Sequence, residues 1–129
     1  MRRLVAVPLL LALVAPAAAT ESIVCASDDK AASIDLLVGL GLDVVSISRV
    51  TIEAKGKSWG TDLAGEQKIA VGQAFEDAEK MLVDFTDEGV SRIVAALRLF
   101  KASEAEDYVT GGTLRVADVG AWAVTCSGP

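Results

Sequence analysis

The chain reads as all-β: a small antiparallel β-sandwich or barrel built from hairpins. Three observations predict this. Short segments that alternate apolar and polar residues follow one another from Thr20 onward. Glycine-containing turns separate them at fairly even spacing. No proline interrupts this stretch before Pro129, the last residue.

The first 19 residues are set apart from that pattern. Arg2 and Arg3 precede an apolar run from Leu4 to Ala15, and Ala17 and Ala19 occupy the small-residue positions of a cleavage site. A basic start, a short apolar stretch and a small-residue end make a secretory signal peptide. The run is short of the roughly 20 residues that span a bilayer. Residues 1–19 are therefore expected to be removed, and 20–129 to form one compact β domain, periplasmic or extracellular, with no membrane insertion of the mature chain.

The expected strands are Ser22–Ser27, Ala31–Val38, Asp43–Glu53, Lys57–Thr61, Lys68–Phe75, Lys80–Thr86, Val90–Lys101, Thr113–Ala117 and Ala121–Cys126. Ala54-Lys55-Gly56, Asp87-Glu88-Gly89 and Asp118-Val119-Gly120 read as three-residue hairpin loops with glycine at the left-handed place. Closing them sets Glu53 opposite Lys57, Asp84 opposite Arg92, and Leu114 opposite Val124. A helical reading over residues 73–102 competes. Val71, Ala74, Phe75, Ala78, Met81, Leu82 and Phe85 fall at helical spacing, and Ala95-Ala96-Leu97 favours a helix.

Cys25 and Cys126 lie in the first and last strands of the mature chain. An even count in an exported chain favours a disulfide between them. The two strands must then be neighbours or face each other across the core. Trp122, on the same strand face as Cys126, should be buried near the bond.

Composition excludes several chemistries. With Arg2 and Arg3 removed, 10 Lys and Arg stand against 18 Asp and Glu, a net charge of −8. Such a surface does not suit nucleic acid or anionic lipid. It suits a basic protein partner or a cell-envelope ligand. The chain has no histidine, so Ser-His and Cys-His catalysis and the usual zinc sets are excluded. Ser27-Asp28-Asp29-Lys30 matches the S-x-x-K pattern of serine enzymes without its companion motifs and reads as a polar turn. Gly39-Leu40-Gly41 lacks the third glycine of a dinucleotide fingerprint and reads as a loop. Carboxylates cluster at Asp28/Asp29, Glu76/Asp77/Glu79, Asp84/Asp87/Glu88 and Glu104/Glu106/Asp107, all near turns and without EF-hand spacing. No catalytic residue, cofactor or metal ligand is assigned.

Arg98 is the candidate binding-face residue, because its strand neighbours Val94, Ala96 and Phe100 are apolar. In size, acidity and cysteine use the chain is similar to exported lysozyme inhibitors, but it shares no motif with them. The expected function is a non-enzymatic binding or inhibitor module for a protein or cell-envelope ligand. A metal-dependent or carboxylate-based hydrolase and a structural subunit of an envelope assembly are the alternatives.

Overall fold

The computed structural model describes residues 20–39 and 45–128. Residues 1–19, where the signal peptide is expected, residues 40–44 and Pro129 lie outside them. Nine strands form one antiparallel sheet curled into a nearly closed barrel, which decides between the sandwich and barrel alternatives. They are β1 (Thr20–Ala26), β2 (Ala32–Gly39), β3 (Ser46–Ala54), β4 (Lys57–Gly60), β5 (Ile69–Glu76), β6 (Lys80–Asp87), β7 (Ile93–Glu104), β8 (Asp107–Val116) and β9 (Gly120–Ser127). Each expected strand has its counterpart. The competing helix over residues 73–102 is overturned, since this stretch is β5, β6 and most of β7. Met81, Val83 and Phe85, with Leu97 and Leu99, alternate at period two into the core with 0–1% exposure. No helix among the described residues is long and apolar enough to cross a membrane.

The ring order is β4-β3-β2-β1-β9-β8-β7-β6-β5. An odd number of strands cannot close with every neighbour antiparallel. Here β4 and β5 run in the same direction and meet at a single parallel bridge, Gly60↔Lys68, so the seam falls between them. The opposite closure joins the chain ends. β1 and β9 pair over three positions only, Val24↔Ser127, Cys25↔Cys126 and Ala26↔Thr125. The cysteines at the middle pair are bonded, with Cα atoms 3.9 Å apart. The predicted pairing and strand adjacency both hold. Trp122 corrects the expectation of a buried indole beside the bond. It shares the inner face but lies four residues away, roughly 13 Å along a strand, and is only partly buried.

The hairpin registers differ from those expected. The β3–β4 turn has two residues, Lys55 (φ 49) and Gly56 (φ 75), and pairs Ala54 with Lys57 rather than Glu53 with Lys57. Positive φ at both central residues is the type I′ hairpin turn. This one-residue change turns Trp59 to the core side, opposite Ile52. The β8–β9 turn puts Asp118, not Gly120, in the left-handed region (φ 63), and Leu114 pairs with Trp122 instead of Val124. In the β6–β7 connection the chain swings wider. Asp84 pairs with Ala96 instead of Arg92, and the left-handed residue is Val90 (φ 56) rather than Gly89. These last two slips are even, so the buried faces stay the same. The expected Thr113–Ala117 strand was too short. β8 begins at Asp107 and runs through Gly111 and Gly112, residues that read as strand breakers. A Cβ at Gly112 would run into the Arg98 carbonyl oxygen, so close strand approach requires glycine there.

This arrangement predicts the effect of three variants. The bond closes a separation of 101 residues, so Cys25→Ala with Cys126→Ala should cost about 2–5 kcal/mol, read from the urea midpoint. An unchanged midpoint would remove the bond's role in closing the ring. Val90 is a β-branched residue, 69% exposed, held at positive φ. Val90→Asn should raise stability by about 1 kcal/mol. Gly89→Val should cost little, because a Cβ there meets only an Asp87 oxygen at 4.0 Å.

Candidate functional site

An exposed apolar area lies on the outside of the barrel, across β5, β6, β7 and β8. Register fixes its composition. Phe75, Leu82, Arg98 and Thr113 form one cross-strand row. Lys80, Phe100 and Gly111 form the next, and Ala102 pairs with Val109 beyond it. Directly opposed residues share a face, so these side chains stand together while Leu97, Leu99 and Leu114 point inward. Phe75 is 49% exposed, Phe100 65% and Val109 64%. Lys80 stands over the Phe75 ring at 5.9 Å from its centroid.

Arg98 sits at the centre of this area. Its Nη2 donates to Asp84 Oδ1 at 2.7 Å, and its Nη1 donates to the carbonyls of Leu97 at 3.0 Å and Val83 at 3.2 Å. Ala96 and Phe100 share its face as expected, whereas Val94 sits at a break in the β6–β7 register. The guanidinium is therefore fixed by its own sheet. It borders a hollow of about 370 Å³ lined by Gln73, Ala74, Phe75, Leu82 and Asp84. Phe100 is legible from the sequence as a same-face neighbour of Arg98, but Phe75 is not, because only the pairing of β5 with β6 and of β6 with β7 brings it there.

A larger cleft, about 750 Å³, opens at the end of the barrel beside the β4–β5 seam. Lys57, Trp59, Glu66, Lys68, Asp87, Glu88 and Arg92 line it, three cations and three carboxylates around an indole. Lys68 Nζ lies 3.8 Å from Glu88. At the same end Lys55 Nζ donates to the Val119 carbonyl at 2.9 Å and stands 5.8 Å from the Trp122 ring, tying two turns together.

The carboxylate clusters do structural work in turns. Asp29 accepts from the Ala31 N–H at 3.0 Å and Ser27 Oγ at 2.7 Å, which makes Ser27–Lys30 the polar turn expected. Asp77 accepts the N–H groups of Glu79 and Lys80, both at 2.8 Å. Asp87 accepts from Ser91 Oγ and from the Ser91 and Arg92 N–H groups. Glu76 accepts from Lys101 Nζ at 2.8 Å, and Lys101 also reaches the Asp77 carbonyl at 3.1 Å. Glu104, Glu106 and Asp107 stand exposed at the β7–β8 tip. Among the described residues, no group of three or more His, Cys, Asp or Glu is placed to hold a metal ion.

These turn bonds carry a pH signature. Backbone and hydroxyl donors favour the charged carboxylate. The Ala31 N–H lowers the pKa of Asp29, the Glu79 N–H that of Asp77, and the Ser91 hydroxyl that of Asp87. A depressed folded pKa stabilises the fold above the unfolded value of about 3.9, and that stability is lost as pH falls through the folded pKa. The urea midpoint should therefore stay level from neutral pH to about pH 5 and drop below about pH 4. Asp77→Asn with Asp87→Asn should lower the neutral midpoint and flatten the acid fall; an unaltered acid limb would show these bonds to be irrelevant.

No family model, curated protein or solved structure matches this chain.

Proposed function

We propose that the protein is an exported, non-enzymatic binding module that docks a protein partner through the outer face of β5, β6, β7 and β8. The observation that carries this reading is the contiguous apolar patch of Phe75, Leu82, Phe100 and Val109 around a pre-fixed Arg98. Large exposed apolar patches rimmed by polar groups mark interaction sites. Aromatic residues and arginine are the residue types that dominate such sites. Arg98 is held by three hydrogen bonds, so it loses little freedom on binding. Export rests on residues 1–19, with the Cys25–Cys126 bond as a second support. A hydrolase reading gains no support from the seam cleft, because Asp87 is committed to its turn and Glu88 faces Lys68.

Photo-crosslinking in intact host cells tests the proposal. A photo-reactive phenylalanine analogue replacing Phe100 should give a discrete protein adduct in the exported fraction. The same analogue at Thr51, which is exposed on β3 away from the patch, should give none. Absence of an adduct at position 100, or equal labelling at both positions, would defeat the proposed docking face, and protein retained in the cytoplasm would defeat export.

A further inference from the structure

We infer that the outer face of β7 and β8 is self-complementary and docks a second copy of this chain about a two-fold axis near Phe100. The inference rests on reading that face as a docking surface, and it names the occupant.

The charges on this face are laid out symmetrically about the Phe100↔Gly111 pair. Four residues along β7 in one direction lies the pair Ala96↔Arg115; four residues in the other lies Glu104↔Asp107. Each is roughly 13 Å from Phe100 at the usual strand rise. A two-fold axis lying between two facing sheets, parallel to both and perpendicular to the strands at Phe100, exchanges these positions. It lays Arg115 of each copy over Asp107 of the other, with Glu104 alongside. Two sheets packed face to face with their strands nearly aligned permit this contact, and an isologous interface has this reciprocity.

The three charged residues lack ion-pair partners among the described residues. Arg115, Glu104 and Asp107 are all exposed. Glu104 and Asp107 oppose each other directly, an arrangement that destabilises a strand pair. The nearest lysine on β7, Lys101, turns inward to Glu76 and the Asp77 carbonyl. A guanidinium from a second chain would bridge the two carboxylates in the forked geometry that arginine favours. At the centre, Phe100 stands beside Gly111, which offers no side chain, so a second Phe100 ring has room to stack. Val109 extends the apolar contact on the same face.

Sedimentation equilibrium on the purified exported protein decides the matter. Twice the monomer mass is expected at micromolar concentration. Arg115→Glu should raise the dimer Kd by at least about tenfold. Adding Glu104→Lys and Asp107→Lys to Arg115→Glu should restore the dimer, which a merely misfolded variant would not do. A wild-type monomer at every concentration, or a dimer indifferent to Arg115→Glu, overturns the inference. A crosslink at Phe100 to a different protein, together with a monomeric purified chain, overturns the dimer alone and leaves the docking face standing. No crosslink at all overturns the docking face itself.

Discussion

The ring is held shut at the chain termini by a ladder of three residue pairs, with the Cys25–Cys126 bond at its middle. Every other antiparallel ladder in the sheet is longer. Opening this one would separate β1 and β9 and leave an edge on each side of the break. The other closure, between β4 and β5, is a single parallel bridge. The parity of nine strands forces that weakness somewhere, and the covalent bond keeps it from being repeated at the termini. A sheet open at both places would be two short meanders with two exposed edges each, a form prone to pairing with other chains.

Closure also explains how charge is distributed. The barrel interior takes apolar side chains from every strand, β4 giving only Trp59, and its ends are finished by polar groups that reach across. Lys55 ties the β3–β4 turn to the β8–β9 turn at one end. Lys101, Glu76 and the Asp77 carbonyl do the same at the other. Three aspartates, Asp29, Asp77 and Asp87, use their oxygens to satisfy turn N–H groups and so hold the connections. The carboxylates of Glu104 and Asp107 are left without such work, at the end of the longest strand in the sheet.

β7 and β8 outrun their neighbours, and this extension places chemistry on the outer face. β6 reaches only to Lys80, opposite Phe100, and β9 only to Ser127. Beyond these the β7–β8 pair stands alone, exposed along 102–109. Two-stranded ribbons are marginal by themselves, and a surface contact along the ribbon would stabilise it. Phe100 sits at the root of the ribbon, between the fixed Arg98 and the carboxylates of Glu104 and Asp107 at its tip.

The sequence by itself determined the strand count, the cysteine pairing and the absence of histidine chemistry. Each of these depends on local alternation, on composition or on the number of cysteines, which are legible in one dimension. Arg98 was legible as an odd residue among apolar ones, but its partner Asp84 was not, because an expected pairing with Arg92 competed for that aspartate. The helix over 73–102 competed for a similar reason. Helical spacing can be met by a strand whose inner and outer faces are both partly apolar, as where Phe75 and Leu82 lie outside while Ala74 and Met81 lie inside. Only the tertiary structure decided the registers, the odd-stranded ring with its seam, and the outer patch. Register depends on which residues in each turn adopt the left-handed conformation. Here Lys55, Val90 and Asp118 take it alongside or instead of the neighbouring glycines. Ring closure depends on pairing between strands about 100 residues apart, a choice governed by the burial of a common core that no local pattern encodes.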